Sequence, residues 1–358
     1  MTQLSRIDLL RALCAEFGPS GCEGNVADFI EGQLRGVCET RRDRMGNVIA
    51  HLPGKGKKVM LSAHIDEVGM MIKEIDDKGY LRFANVGGID ARVLCGRAVT
   101  VGNEQNQIPG VVGAKAIHLQ SADERKNATP VSAMYIDIGA ASREEAEKYV
   151  DLGDFAAFAS AFVEFGEGGQ RLRGKAIDDR WGCAVAIETL RALAGQALEV
   201  DLYAVFSVHE EMGKSGARVA AYAIRPDVAI VLEATAVADL ADTAGAARVG
   251  ELGQGGLISI VDKGTVYDAG LIDFALETAK RAGIPVQLKR WSAGSNDSAQ
   301  INRAADGARA MALSAPTRYI HSGSCVADAR DFDAICALLR EMLERPWGFT
   351  PNPTKETF

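Results

Sequence analysis

Eight side chains able to hold a metal ion or carry a proton fall at the ends of apolar runs. In KKVMLSAHIDEVG a β-type run stops at His64 and Asp66. In VDLYAVFSVHEEMG a run with Val200, Leu202, Ala204, Phe206 and Val208 on one face stops at Glu210 and Glu211. DVAIVLEAT stops at Glu233, and RAMALSAPTRYIHSG leads shortly to His321. Asp178 and Asp179 stand just before a helical stripe of Cys183, Ile187, Leu190 and Ala194. A helix N-terminus needs only one of two adjacent aspartates as its cap, so the other carboxylate is free for other work. Taken singly, each residue has an ordinary structural explanation; converging at several element ends, they point to a site. One residue from each of five element ends gives two imidazoles and three carboxylates, which suit borderline divalent ions such as zinc, cobalt or manganese, and a set without cysteine argues against a closed structural zinc.

Apolar helical spacing at 4–17, 26–35, 179–194, 270–282 and 331–344 alternates with β-rich runs near 58–63, 200–208, 227–232, 286–290 and 308–314. That alternation predicts an α/β fold, a mixed, largely parallel sheet covered by helices. Ligands bind such sheets where loops leave the carboxyl edge, the edge that carries these acids and imidazoles. Between 68 and 165 the rhythm changes to short β-type segments (GMMIKEID, GYLRFANV, RAVTVG, GVVGAKAIH, MYIDIGA) with one helix near 142–150. We read 68–165 as a small β-rich domain inserted into a catalytic domain formed by 1–67 and 166–358. Met70, Met71, Ile72, Leu81 and Phe83 look like more apolar surface than that insert needs for its own core, which suggests an oligomerisation surface. The proline-rich tail (Pro346, Pro351, Pro353) is expected to fray.

A chain of 358 residues, 47% hydrophobic and 25% charged, can bury about two domain cores. Disorder, collagen-like repeats and small disulfide scaffolds are excluded. The charge of -8, with both signs interspersed, argues against nucleic acid and anionic membrane as partners. Arg6, Asp8 and Arg11 interrupt any apolar N-terminal run, so the opening segment reads as an amphipathic helix and the protein as cytoplasmic. Seven scattered cysteines without a close C-x-x-C pair read as reduced thiols.

The segments HIDEVG, GKAIDDRWG, HEEMGKSGA, VLEATAVAD and RYIHS, in this order, resemble the TET-type dinuclear metallo-aminopeptidases, a group also known as glutamyl aminopeptidases or cellulase M homologues. The resemblance runs from FGPSGCEGNV past His321 and includes KEIDDKGYLRFANVGGIDARVLCGRAVTV in the insert. It implies that His64 binds one metal ion with Asp66 holding its imidazole, that Asp178 bridges two ions, that Glu233 completes the first ion's ligands, and that Glu211 and His321 complete the second's. Glu210 is then the general acid/base. The pattern departs from the family at His209, where glutamine is more usual, and at AGSNDSAQ, where Gly-Gly-Thr-Asp is more usual; Ser295 and Asn296 therefore bear on substrate preference. His209 reads as a packing or supporting group.

The implied chemistry is coherent. Two divalent ions about 3.5–4 Å apart deprotonate a shared water near neutral pH, giving a nucleophile strong enough for an amide. Glu210 and Glu211 can split the roles of proton carrier and ligand only if the chain turns there, and Gly213 permits such a turn. Acids around two metals would anchor a free α-amine, so the substrates expected are peptides with a free N-terminus. An N-acyl deacetylase or carboxypeptidase with the same dinuclear core is the related alternative. A glycosidase, suggested by the cellulase label, has no use for the histidines and would need aromatic sugar platforms, whereas aromatics are 6%. A non-catalytic scaffold would need a lost ligand or a lost Glu210, and none is lost. The resemblance further implies a homo-oligomer, a dimer or a shell of twelve. Lys289, Arg290 and Arg318 could attract an acidic first residue and Trp291 could wall an apolar pocket. His51 reads as surface and His118 as an intersubunit or lining residue, and neither has a carboxylate at metal-ligand spacing.

Overall fold

The computed structural model describes residues 4–241, 243, 248–289, 294–345 and 347. Arg290, Trp291 and the prolines of the tail lie outside them. Eight strands form one mixed sheet in the spatial order Glu39–Arg42, Val48–Leu52, Asp201–Ser207, Lys58–His64, Val228–Ala236, Arg309–Thr317, Gly256–Ser259, Val286–Lys289. The four central strands run parallel, whereas Val48–Leu52 and Gly256–Ser259 join antiparallel on either side.

The central strands read as continuous apolar runs because helices cover both faces and no alternate position meets water. Val59 to His64 and Val228 to Thr235 are buried without exception. Helix Ile177–Leu193 packs on Lys58–His64 and Val228–Ala236 and is flanked by Arg6–Ala15 and Ala329–Leu343, with Ala269–Ala282 beside the latter. A second group, Ser215–Ile224 and the short Ser298–Ile301, packs against the central strands as well. Ordinary capping sets the helix starts, with Ser5, Asp268 and Asp328 each accepting a backbone N–H of the first turn. None of the described helices is long and apolar enough to cross a membrane.

Strands Gly69–Ile75, Leu81–Val86, Tyr135–Asp137, Gln107–Gly113, Ala98–Gly102 and Phe155–Phe158 close into an antiparallel barrel. Closure corrects the expectation for the insert's apolar residues. Met70, Ile72, Leu81 and Phe83 point into the barrel and are buried in its own core with Val99, Val101 and Ile136; of the five only Met71 faces outward, 38% exposed. Alternation along a strand defines two faces, and it is the curvature of a closed sheet that turns one of them inward. The helix expected near 142–150 is one turn, Arg143–Ala146, capped by Ser142.

Candidate active site

The parallel strands deliver their polar residues to one edge, as their common direction requires. His64 is the last residue of Lys58–His64; Glu210 and Glu211 follow Asp201–Ser207; Glu233 lies within Val228–Ala236; His321 follows Arg309–Thr317. Asp178 enters from the neighbouring helix start. Regular helical geometry begins only after Asp179, and the two aspartates are joined by a cis peptide bond. They divide their work. Asp179 Oδ1 accepts the N–H of Gly182 at 3.0 Å and caps the helix, so Asp178 is left for the cleft.

Asp178 sits between two histidine–carboxylate groups. Its Oδ1 is 3.1 Å from His64 Nε2, which lies 3.4 Å from Glu233 Oε1. Its Oδ2 is 3.1 Å from His321 Nε2, which lies 3.3 Å from Glu211 Oε1. In each group, and also in the set His64, Glu210 and Glu211, one ligand atom per residue falls within 4.8 Å of the others.

The far nitrogens of both imidazoles are pinned by carbonyls, which turns each Nε2 into the cleft. His64 Nδ1 is 3.0 Å from the carbonyl oxygen of Asp66 and 3.4 Å from its Oδ1. His321 Nδ1 is 2.8 Å from the carbonyl oxygen of Gly88, on a barrel loop. Neither Gly88 nor Ser20, whose hydroxyl donates to Asp66 Oδ2, was singled out by the sequence; Ser20 lies in the FGPSGCEGNV stretch, but a backbone carbonyl leaves no trace in residue type.

Asp66 also fixes the turn that carries the two glutamates. Its Oδ1 accepts the N–H of Glu210 at 3.0 Å and its Oδ2 that of Glu211 at 3.1 Å. The chain leaves the strand direction at His209, with φ of 59°, before reaching Gly213, so the turn comes earlier than the glycine alone suggests. Five of the seven described non-glycine residues with positive φ (Ala176, His209, Lys214, Tyr319 and His321) stand around this cleft. Backbone strain held at one place by the surrounding fold is a mark of a functional site. His209 donates its backbone N–H to Glu23 at 3.2 Å, with its ring nitrogen 3.6 Å from the same oxygen. Glu210 projects elsewhere, to Lys214 Nζ at 3.1 Å.

The electrostatics are those of acids crowded away from water. Burial raises the pKa of Glu210, Glu211 and Glu233, and neighbouring carboxylates add to the rise. Burial opposes ionisation of Asp178 as well, yet hydrogen bonds from His321 and His64 hold it below the usual carboxylate range. Burial disfavours charge on both imidazoles, but the facing carboxylates win and raise them, His321 to about 10. The donor set of two imidazoles and three carboxylates without a thiolate, with one carboxylate split between two groups, fits a pair of borderline divalent ions.

Asp178, Glu210, Glu211, Glu233 and His321 line a cleft of about 290 Å³ together with Lys289, Asp262 and Asn296. A larger cavity of about 740 Å³ opens near Asp227 and Arg309, at the amino ends of the strands, and none of the eight residues lines it. Arg318 is held by both oxygens of Asp239, each at 2.7 Å. His51 departs from expectation: it is half-buried at the far end of the sheet, 2.7 Å from Asp201 Oδ1 and stacked on Tyr203. Register explains the miss, since His51 and Tyr203 are cross-strand neighbours only once two strands far apart in sequence are paired. His118 is exposed on a 3-10 turn of the insert.

The lysyl aminopeptidase of Pyrococcus furiosus is 36% identical over 353 residues, covering 96% of this chain and 99% of its own. The TET aminopeptidase of the marine sediment archaeon Thaumarchaeota archaeon SCGC AB-539-E09 superposes with a TM-score of 0.92 at 32% identity, over 95% of this chain and 96% of that one. The Pyrococcus horikoshii TET1 peptidase, described as able to assemble into a tetrahedron or a large octahedral shell, superposes with a TM-score of 0.86 at 31% identity, over 95% and 99% of the two chains. The profile of the M42 glutamyl aminopeptidase family matches residues 46–338. The chain is a peptidase, and it belongs to the M42 glutamyl aminopeptidase family.

Proposed function

We propose that this aminopeptidase works with two divalent metal ions, one held by His64, Asp178 and Glu233 and the other by Asp178, Glu211 and His321. The observation that carries the reading is the division of Asp178, one oxygen 3.1 Å from His64 Nε2 and the other 3.1 Å from His321 Nε2. When bound, the ions supply Lewis-acid activation of the scissile carbonyl and of a water at neutral pH. Zinc or cobalt suits the donors best, and manganese is compatible.

The chain's own residues do the rest. Glu210, outside both proposed ligand sets and raised in pKa by burial, takes the proton of the attacking water and delivers it to the departing amine. Lys214 Nζ, 3.1 Å from Glu210 Oε1, holds that carboxylate in place. Asp66 orients His64 and, through the two backbone N–H groups it accepts, keeps Glu210 and Glu211 apart in direction. The surplus of acids attracts the free α-amine of a peptide, which places the first amide bond at the centre and favours removal of N-terminal residues.

The reading extends to assembly and setting. We place self-association in the inserted domain, 68–165, where Ile117, Leu119 and Leu152 are exposed at 70%, 63% and 64%. That the P. horikoshii TET1 peptidase can assemble into a tetrahedron or a large octahedral shell supports self-association as such. A cytoplasmic setting is supported by Cys14, Cys183 and Cys325, buried singly in the core as unpaired thiols.

Exhaustive chelation tests the metal requirement. Hydrolysis of free-amine peptides should vanish and return with added Zn²⁺, Co²⁺ or Mn²⁺, while N-acetylated peptides should stay intact throughout. Undiminished turnover after chelation would refute the metal reading.

A further inference from the structure

The cleft beside the proposed metal ligands holds two charged groups of opposite sign that the mechanism does not use. Asp262 is buried and fully engaged: its Oδ1 accepts the N–H groups of Gly264 at 2.7 Å and Thr265 at 2.8 Å, and its Oδ2 accepts the hydroxyl of Tyr267 at 2.5 Å. Its acceptors already have donors, so it offers little to a cationic side chain entering the cleft. Lys289 differs. It ends the edge strand Val286–Lys289 and reaches across to donate one hydrogen bond, to Thr235 Oγ1 at 2.6 Å. Among the described residues no carboxylate oxygen lies within ion-pairing distance of its ammonium, and Asp262 and Glu233 act on it only from farther away. Lys214, which also lines the cleft, pairs with Glu210; of the other cations raised by the sequence, Arg318 pairs with Asp239 and Arg290 lies outside the described residues.

An ammonium has three donors and no acceptor, and the half-buried Lys289, with one neutral partner, is under-satisfied. The group that best completes it is an anionic acceptor. The geometry points to Lys289 as a specificity-determining residue that receives a carboxylate carried by the substrate. This rests on the aminopeptidase reading of the same cleft. Two substrate groups offer that chemistry, the side chain of an N-terminal aspartate or glutamate and the C-terminal carboxylate of a dipeptide, and they can be told apart.

The test uses the metal-loaded enzyme and ratios of kcat/KM, which cancel any general loss of active protein. Glutamyl and leucyl p-nitroanilides differ in a side-chain carboxylate and have no C-terminal one. Leu-Ala and Leu-Ala-amide differ only in the C-terminal carboxylate. If the side chain is the ligand, the wild type favours the glutamyl over the leucyl anilide, and Lys289→Met lowers that ratio by about 10–100-fold, the usual worth of a charged hydrogen bond in a partly buried site. Lys289→Glu should then raise the ratio for lysyl over leucyl anilide. If the C-terminus is the ligand, Lys289→Met lowers the ratio of Leu-Ala to its amide by a similar factor instead. Leucyl turnover with neither ratio moved by more than about threefold in Lys289→Met overturns the proposal and leaves the aminopeptidase reading standing. Failure to cleave any of the four substrates removes both.

Discussion

Replacing Glu210 by glutamine separates chemistry from metal binding. The substitution keeps the length of the side chain and an acceptor for Lys214 Nζ, which lies 3.1 Å from Oε1, so the loop should hold its place. It removes the ability to carry a proton. General acid/base groups contribute about 10²–10⁴ in rate, so kcat should fall by that factor, about 3–5.5 kcal/mol in barrier height, with KM within a few-fold of wild type. The structure also supplies the rival outcome, because Glu210 belongs to a group with His64 and Glu211 whose ligand atoms lie within 4.8 Å of one another. If Glu210 were a ligand in place of Glu233, the variant would lose metal. The assay is therefore double: kcat on the substrate the wild type cleaves best, and metal per chain by plasma mass spectrometry after dialysis against buffered metal. Two ions per chain with a crippled kcat supports the proton-carrier role. One ion per chain, or a kcat within tenfold of wild type, would refute it.

Asp178→Asn leaves one acceptor oxygen and turns the other end into a donor, so both ions should be lost together and turnover with them; retention of two ions per chain by the same mass spectrometry would remove Asp178 as the bridge. Asp331 offers a pH test away from the cleft. Burial, with the charge of Asp328 adding, pushes it up to about 7, whereas an unfolded aspartate titrates near about 3.9. The folded chain therefore holds an extra proton between those values; its contribution to stability is fully present below about 4 and is lost as pH rises towards about 7. Asp331→Asn cannot titrate. Denaturant unfolding should show the wild type losing about 2–3 kcal/mol relative to this variant between pH 5 and pH 8, and parallel profiles would show that Asp331 does not titrate in that range. Light scattering settles assembly: a mass of one 38.1 kDa chain at micromolar concentration would exclude the oligomer, and a stable dimer would exclude only the closed shell.

Much of the layout of the candidate site is legible in the sequence because parallel strands share a direction. Once β-type runs alternate with helices, residues such as His64, Glu210, Glu211 and Glu233 at their carboxyl ends must meet at one edge, whatever the exact register. The adjacent pair Asp178–Asp179 was legible in kind, since one cap suffices for one helix, but not which aspartate caps. That assignment depends on the direction of two neighbouring carboxyl groups, fixed only when Asp179 meets the N–H of Gly182 and Asp178 meets the imidazoles of residues 114 and 143 positions away. Alternation in Gly69–Ile75 showed two faces, yet barrel closure decided that Met70 and Ile72 are core and Met71 is surface. The supports of the site were likewise invisible. Ser207 and Ser62 donate to the buried Asp297, Gly88 offers only a carbonyl to His321, and Glu67, next to Asp66 in the chain, forms its buried ion pair with Lys175, far away in sequence. Residue type and local period state what a side chain can do and which way its neighbours alternate; which partner satisfies a buried polar group is set by long-range packing.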